Sequence, residues 1–415
     1  MVPNRLIDSQ INNVFKKYIL GDLCNFTQGV QIASKDTIKE LKEGYVRYIY
    51  IRDLFTDKFP VYVKDEHPHK LLSSGDIVMV NTGNTSGSVY KAKEGVLCNN
   101  AFKITIKSEK IDKEFLWVYL NSNARERMLK RLSNPAGQPH VGHKNVARLE
   151  VLLPPLLEQQ KIAKILSTWD KAISTTERLI ENSTQQKKAL MQQLLTGKNR
   201  LLDDEGKRFE GEWELKKVSD YFDVSSSKRV LQEDWKDEGV PFYRTRELVS
   251  LAKNEPFRSS IYIAEDYYEE LITKYGMPDE GDFLVSGVGT LGIIYQVREN
   301  DKFYFKDGNV LWFKKEKEVS SDFFKYCFLS DYIQNQINIQ ASVTTVGTYT
   351  ITNAKKTRFH CPPLAEQQKI ATVLTNADKE IELLEQQLAD LQQEKKALMQ
   401  VLLTGKKRVV VDGEV

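Results

Sequence analysis

The chain has 415 residues, more than the ~100–200 of a typical single domain, so at least two domains are expected. A hydrophobic fraction of 41% with 28% charged residues is ordinary for a globular protein, and no apolar run approaches the ~20 residues that cross a bilayer. The formal net charge of +3 does not by itself indicate a nucleic-acid partner, but it hides an asymmetry, since residues 1–153 carry about +7 and residues 201–361 about −6.

The N-terminus and the cysteines bear on the cellular compartment. The first ten residues lack the apolar stretch of roughly 7–15 residues that a secretory signal requires, so we expect no export. The four cysteines, Cys24, Cys98, Cys327 and Cys361, are scattered and form neither a CxxC pair nor a dense disulfide framework. Both features favour the cytoplasm.

Residues 1–153 mix short β-rich runs with helix-like stretches, which predicts an α+β domain. Residues 46–51 and 76–81 are strand-like, and residues 113–131 are helix-like. Polar and aromatic side chains that can read bases or bind phosphates lie in or beside the predicted loops. These candidate DNA contacts are Arg47, Tyr50, Arg52, Asn81, Thr82, Asn84, Thr85, Asn99, Asn100, Gln138, His140, His143 and Lys144.

Residues 154–200 predict one long helix. After Pro154 and Pro155 the sequence continues for about 39 residues without proline or glycine and ends at Gly197, a typical helix terminator. Apolar residues recur in alternating steps of four and three, which is the seam of a coiled coil. The seam comprises Ile162, Leu166, Trp169, Ile173, Thr176, Ile180, Ser183, Lys187, Leu190 and Leu194.

Residues 201–361 begin with an acidic linker and continue as a second α+β domain, in which residues 242–248 echo residues 48–54. The candidate DNA contacts here are Lys228, Arg229, Tyr243, Arg244, Arg246, Thr290, Thr344, Thr345, Thr348 and Tyr349. Arg52 and Arg246 are the best supported, because the same residue type occupies the corresponding place in both halves. The alternative for each single candidate is an ordinary solvated surface residue.

Residues 362–415 repeat the first long helix. The sequence PPLAEQQKIA at residues 362–371 matches PPLLEQQKIA at residues 154–163 at an offset of about 208, and roughly 27 of 47 aligned residues are identical. The chain therefore divides into four segments, residues 1–153, 154–200, 201–361 and 362–415. The second seam comprises Ile370, Leu374, Ala377, Ile381, Leu384, Leu388, Leu391, Lys395, Leu398 and Leu402.

Two such narrow seams are expected to pair with each other, since a globular core needs a broader apolar face. If the halves are related by a pseudo-twofold axis, the two helices run antiparallel. Lys187 and Lys395 occupy the same seam position, where a lysine either fixes the register or extends its ammonium group to solvent. Apolar residues outside the seams are expected to contact partner helices; these are Ile165, Leu195, Val373 and Leu403.

The repeated motifs, Pro-Pro-Leu-x-Glu-Gln-x-Lys-Ile-Ala at the start of each long helix and Leu-Leu-Thr-Gly-Lys at its end, resemble the DNA-specificity subunit of type I restriction-modification systems over essentially the whole chain. The resemblance implies a non-catalytic protein whose target-recognition domains, residues 1–153 and 201–361, each read one half of a bipartite DNA target. Its spacer helices would form a coiled coil that sets the spacing and docks two modification subunits. Because the second domain is acidic, its DNA-binding face is expected to be a local patch.

The same resemblance implies where the cofactors are bound. S-adenosylmethionine is expected in the modification (methyltransferase) subunits, and ATP and Mg²⁺ in the restriction (motor-nuclease) subunits. This chain is expected to bind no cofactor.

Sequence signals for an enzyme are weak. The GxGxxG match at residues 287–292 is followed by a strand-like run, whereas a dinucleotide fingerprint needs a helix there. The five histidines lack supporting cysteine or carboxylate spacing, so no metal site is predicted. The rival interpretation is a two-headed coiled-coil scaffold whose domains bind proteins instead of DNA.

Overall fold

The computed structural model describes residues 15–122, 140–253, 255, 261–341 and 347–410. The chain folds into two compact units, one made of residues 1–177 and 386–415 and the other of residues 178–385. Each unit contains one variable segment, the start of one long helix and the end of the other. Among the described residues, no helix is both long enough and apolar enough to cross a membrane.

The first variable segment folds into short strands and helices. In chain order they are β1 (Lys16–Ile19), α1 (Leu20–Leu23), β2 (Cys24–Gln28), β3 (Tyr45–Ile49), β4 (Val61–Lys64), β5 (Leu71–Leu72), β6 (Ile77–Val80), β7 (Val89–Lys91), β8 (Gly95–Leu97), β9 (Ala101–Ile106), α2 (Lys113–Leu120), α3 (His143–Ala147) and β10 (Glu150–Leu153). The strands form sheets in the orders β2-β9-β6-β7, β4-β3-β8-β5 and β1-β10.

The first long helix and the second variable segment follow. Their elements are α4 (Leu156–Leu194), β11 (Glu214–Lys217), β12 (Phe222–Ser226), β13 (Trp235–Lys236), β14 (Val240–Tyr243), α5 (Thr245–Ala252), β15 (Tyr262–Ile263), α6 (Glu265–Tyr275), β16 (Phe283–Ser286), β17 (Ile294–Gln296), β18 (Tyr304–Phe305), β19 (Val310–Lys315), α7 (Ser321–Leu329), α8 (Asp331–Ala341), α9 (Ile351–Lys356), β20 (Arg358–Cys361) and α10 (Leu364–Leu402).

The two variable segments share one fold despite their divergent sequences. The second forms sheets in the orders β12-β19-β16-β17, β13-β15-β14-β18 and β11-β20. The first and last of these correspond to sheets of the first segment strand for strand, and the middle sheets share three strands but differ in the fourth, which is β5 beside β8 in the first unit and β13 beside β15 in the second. In each unit one sheet contains a single parallel pair, β3 with β8 and β14 with β18, at the same place in the fold. The predicted α+β class with an internal repeat is confirmed.

The repeated glutamine of the Pro-Pro motif fixes each long helix to its own domain. Gln159 accepts a hydrogen bond from the Asp112 backbone N–H (2.9 Å) and donates one to the Pro154 carbonyl (2.8 Å). Gln367 does the same with Ser320 (3.0 Å) and Pro362 (2.8 Å). Since Asp112 and Ser320 are the N-caps of α2 and α7, each glutamine joins the start of a long helix to the start of a domain helix.

The repeated glutamate of the same motif pairs with an arginine that follows the other long helix. Arg200 donates from Nε and Nη2 to the fully buried Glu366 carboxylate, at 3.1 and 2.6 Å. This hydrogen bond raises the pKa of the Arg200 guanidinium. Arg408 binds buried Glu158 from Nε, at 2.8 and 2.9 Å. Each start is therefore paired with the residues after the other helix's end, so the helices run antiparallel, as predicted.

A glycine is required after each long helix for two reasons, its backbone conformation and the aromatic ring that packs against it. Gly197 and Gly405 have φ of 69° and 72°, in the left-handed region that favours glycine. A Cβ on Gly197 would lie 3.3 Å from the Trp213 ring, and one on Gly405 3.1 Å from the Phe15 ring. The backbone conformation and these contacts account for the repeated glycine.

The seam lysines form ion pairs between the two helices. Lys187 donates to Asp378, and Lys395 donates to Asp170. Asp170 and Asp378 are related by the same offset as the lysines, so the same ion pair occurs twice. Both lysine side chains are only about one-fifth exposed, which favours the register-fixing interpretation over extension into solvent.

The prediction that four residues outside the seams contact partner helices is wrong for Leu195 and Leu403 and stays a prediction for Ile165 and Val373. Leu195 and Leu403 are 5% and 4% exposed, inside the apolar cores of their own units. Ile165 and Val373 are half-buried against the same cores. The ends of both long helices need a broad apolar face, because there they cover a domain as well as each other.

Arg200 is expected to contribute measurably to stability. Its replacement (Arg200→Ala) leaves the Glu366 charge buried without its main partner, and we expect a loss of about 2–3 kcal/mol, below the full value for a buried pair because Arg200 is itself partly exposed. Urea denaturation followed by circular dichroism measures it. Arg208→Ala, which removes an exposed arginine nearby, should change stability by less than about 0.5 kcal/mol. Equal midpoints for the two variants would contradict the expectation.

Candidate nucleic-acid interface

Three loops of the first unit converge at one edge of its sheet β2-β9-β6-β7. The Thr82 hydroxyl lies 3.1 Å from His140 Nδ1, which joins the β6–β7 turn to the segment before α3. The Asn81 backbone N–H donates to the Asn100 carbonyl at 3.0 Å, which joins the same turn to the β8–β9 turn. The structure thus brings together six predicted contacts, Thr82, Asn84, Thr85, Asn99, Asn100 and His140, most of them exposed.

The second unit builds the same edge with different side chains. The Gly287 N–H donates to the Asn309 carbonyl at 2.8 Å, and the Tyr349 N–H donates to the Gly287 carbonyl at 2.8 Å. Val288 and Thr348 form the bridge that corresponds to Thr82 and His140. Of the predicted contacts, Thr290 is exposed in this turn and Thr348 is half-buried. The two units therefore share the backbone arrangement of this edge but carry different side chains on it.

An arginine-bearing turn lies beside each of these hairpins. In the second unit α5 begins next to the β16–β17 turn, where a Cβ on Gly289 would lie 3.8 Å from the Thr245 methyl group. In the first unit a short 3-10 helix, Ile51–Leu54, occupies the corresponding place, and the Phe55 ring after it packs edge-on against Tyr90 of β7 at 4.7 Å. Arg52 and Arg246 extend from these two turns.

A buried carboxylate stands behind each arginine. Glu247 is 2% exposed and accepts hydrogen bonds from Arg244 and Arg246, each with an Nη2–Oε1 distance of 2.8 Å. Burial raises the pKa of the Glu247 carboxyl, but these hydrogen bonds outweigh it and hold the pKa below its usual value. Asp53 is fully buried, and its Oδ1 lies 3.7 Å from Arg52 Nε and 3.8 Å from Arg47 Nη2.

Two predicted DNA contacts are wrong because their side chains are buried. Tyr349 is fully buried; its hydroxyl lies 2.8 Å from Thr357 Oγ1, and burial raises its pKa. Asn81 is 5% exposed, and its side chain binds Thr82 within the turn at 3.0 Å. Both hold the loops in place instead of facing a ligand.

The remaining predicted contacts differ in exposure. Lys144, Lys228 and Arg229 are exposed, and Arg47, Tyr50, His143, Tyr243 and Arg244 are half-buried. Tyr243 stacks on Phe303 with ring centroids 4.9 Å apart, and burial raises its pKa to about 12. Gln138, Thr344 and Thr345 lie outside the described residues.

Asp53 and Glu247 were not among the residues predicted from the sequence. Their signal was present, because Arg52-Asp53-Leu54 and Arg246-Glu247-Leu248 repeat an acid as well as an arginine.

Within the part of the chain that the structure describes, no group of three or more histidine, cysteine, aspartate or glutamate side chains could hold a metal ion.

Comparison with known proteins identifies the family of the chain. A family model described as the type I restriction modification DNA specificity domain matches residues 12–183 and again residues 210–393, which together make up most of the chain. The chain belongs to the type I restriction-modification DNA specificity family. It contains two copies of the family's domain.

Relatives of this specificity family match over nearly the full length. The chain is 28% identical to the type I restriction enzyme MjaVIII specificity subunit of Methanocaldococcus jannaschii, over 94% of this chain and 92% of that protein. It is 26% identical to the putative specificity subunit S.HindORF215P of Haemophilus influenzae, over 72% and 74%.

Solved structures show the same fold. The S subunit of a type I restriction-modification system from M. genitalium has a TM-score of 0.58 at 15% identity, with 94% of this chain and 96% of that chain covered. A chain from a study of complex assembly and conformational transition of the type I R-M system has a TM-score of 0.57 at 16% identity, with 95% and 98% covered.

Proposed function

We propose that this chain is the non-catalytic specificity subunit of a type I restriction-modification complex, and that each variable domain reads one half of a bipartite DNA target. The observation that carries the proposal is the repeated edge. The same loops, hairpin and arginine-bearing turn occur in both units, while the exposed side chains on them differ. A conserved frame with changed polar groups suits two readers of different base sequences.

The coiled coil supplies the spacing between the half-sites in this proposal. Each long helix has 39 residues, which corresponds to about 58 Å at ~1.5 Å per residue. One turn of a duplex is about 34 Å. The helices are therefore long enough for two domains to reach successive turns of DNA.

Two equivalent grooves support docking of two modification subunits. One groove, of about 560 Å³, lies beside the end of α10 in the first unit, and the other, of about 420 Å³, lies beside the end of α4 in the second. Five helix residues that line one have equivalents at the same offset that line the other: Lys188/Lys396, Met191/Met399, Gln192/Gln400, Thr196/Thr404 and Lys198/Lys406. Leu195 and Leu403 also line the grooves but are almost fully buried in their own units. A surface built twice fits two copies of one partner, and its lysines favour an acidic one.

The cofactors belong to those partners in this proposal. The modification subunits would bind S-adenosylmethionine and methylate adenine, and restriction subunits would supply ATP- and Mg²⁺-dependent cleavage. This chain would contribute sequence recognition and no reacting group.

A methylation assay tests the function. The modification subunit is incubated with DNA and labelled S-adenosylmethionine, with and without this chain, and methylated sites are mapped by sequencing. We expect methylation at one bipartite motif only when the chain is present. Equal sequence-specific methylation without it would end the proposal.

DNA binding in rising salt separates this function from the protein-binding scaffold. Phosphate contacts release counterions, so affinity of the assembled complex for its target should fall steeply with salt. A salt-insensitive or absent interaction would favour the scaffold.

A further inference from the structure

We propose that Asp53 and Glu247 are positioning residues that hold Arg52 and Arg246 for guanine recognition, one guanine in each half-site. This inference rests on the proposed DNA reading. It adds a role for two acids that do not touch DNA and commits the arginines to a base instead of a phosphate.

In the second unit hydrogen bonds join the acid to its arginines. Glu247 lies in the first turn of α5, and its Oε2 accepts from the Arg244 backbone N–H at 3.1 Å, which fixes the carboxylate to the helix start. Arg246 donates to Oε1 from Nε at 3.1 Å and from Nη2 at 2.8 Å, yet 70% of its side chain is exposed. An arginine held by a rigid buried acid while its body extends into solvent is set for recognition, not for burial.

Arg244 explains why one carboxylate can serve this purpose. It binds Glu247 through Nε–Oε2 at 3.1 Å and Nη2–Oε1 at 2.8 Å, and only 28% of its side chain is exposed. The buried charge is thus compensated by Arg244 even when Arg246 engages a ligand.

In the first unit the same parts are present with looser geometry. The Asp53 Oδ2 accepts from the Tyr50 backbone N–H at 3.0 Å, and the Arg52 guanidinium lies over the Tyr50 ring at 4.7 Å from its centroid. Asp53 Oδ1 is buried without a hydrogen-bond partner among the described residues, 3.7 Å from Arg52 Nε. Arg52 is half exposed. A small shift of Arg52 would satisfy this oxygen.

Guanine fits this arrangement better than a phosphate does. Guanine O6 and N7 accept two parallel hydrogen bonds from a planar guanidinium, and this recognition depends on the orientation of the plane. A phosphate carries a full negative charge, so a buried carboxylate beside the guanidinium would repel it, whereas guanine is neutral. In both units, therefore, the role we assign to the buried acid is to orient the guanidinium plane of the exposed arginine.

The test uses the complex of this chain with its modification subunit. Initial methylation rates are measured on duplexes in which each position of the target is changed in turn. Arg246→Ala should lower the preference for guanine at one position of one half-site by about 5- to 150-fold, the range for one bidentate pair. The other half-site should be unchanged. Arg52→Ala should do the same in the other half-site.

Glu247→Gln tests the positioning role, since glutamine keeps the shape and removes the charge. We expect Glu247→Gln to lower the preference for guanine at the same position as Arg246→Ala does, by a smaller factor. In the double variant, Glu247→Gln should add no further loss at that position, because the arginine it orients is absent. Asp53→Asn and Arg52→Ala form the matching set. Arg208→Ala, which removes an exposed arginine elsewhere in the second unit, should leave all preferences unchanged.

Three outcomes would overturn the inference. If the arginine variants lowered the methylation rate equally on all duplexes, and reduced the salt slope of DNA binding by about one, the arginines would be phosphate contacts. Additive losses in the double variant, or a Glu247→Gln effect equal on every duplex, would make the acid merely structural. If the wild-type complex methylated DNA without sequence preference, the proposed function itself would fail. If the wild-type complex were sequence-specific and the Arg246→Ala variant kept the same motif, only this inference would be rejected.

Discussion

Replacing Met191 and Met399 together with glutamate is expected to abolish binding of the modification subunits and, with it, methylation. The two methionines line the equivalent grooves at the ends of α4 and α10. Both are half-buried at the edge of a core, so each offers apolar surface that a partner would cover. A carboxylate at that place would bring a charge into an apolar contact and would repel the acidic partner that the groove's lysines favour.

The single variants give the sharper result. Because the grooves are separate and equivalent, Met191→Glu alone should leave one modification subunit bound where the wild type binds two. Met399→Glu alone should give the same stoichiometry. Native mass spectrometry of the mixed components counts the subunits directly.

A matched control adds the same charges elsewhere on the same helices. Gln185 and Gln393 are exposed, are related by the repeat offset, and do not line the grooves. Gln185→Glu with Gln393→Glu should keep two subunits. Circular dichroism of every variant checks that it folds. Two subunits bound to a folded Met191→Glu/Met399→Glu chain would place docking elsewhere.

The helices and their pairing were predictable because repetition and periodicity are properties of the sequence itself. The four-three seam predicted residues that are all buried or half-buried, and it placed Lys187 and Lys395 where they meet Asp378 and Asp170. Periodicity does not reveal what covers the other side of a helix. Leu195 and Leu403 were therefore assigned to partners, although their own domains bury them.

The candidate interface was predictable in location but not in the role of each residue. Loop position brought Thr82 and His140 into the right region, since loops carry polar recognition groups. The same reasoning failed for Tyr349, because its side chain is buried in the apolar core of the second unit although it follows a loop. Glu247 escaped notice because its function depends on burial, which local sequence does not encode.

Removing one heptad from each long helix is expected to shorten the permitted gap between the half-sites while both half-site sequences stay the same. Seven residues correspond to about 10.5 Å, or about three base pairs of duplex. A suitable design deletes residues 175–181 and 384–390, which the register set by the Lys187–Asp378 and Lys395–Asp170 pairs matches to each other. Whole heptads preserve the seam and both ion pairs.

Sequencing of genomic DNA methylated by the shortened complex measures the gap. Three base pairs also turn the duplex by about 100°, so we expect slower methylation together with the changed gap. Deleting four residues from each helix instead breaks the seam register and should lower helix content and stability, which separates a shortened spacer from a damaged one. If the heptad variant methylated the original motif with its original gap, only more slowly, the helices would not set the spacing, and the distance between half-sites would have to come from the partner subunits.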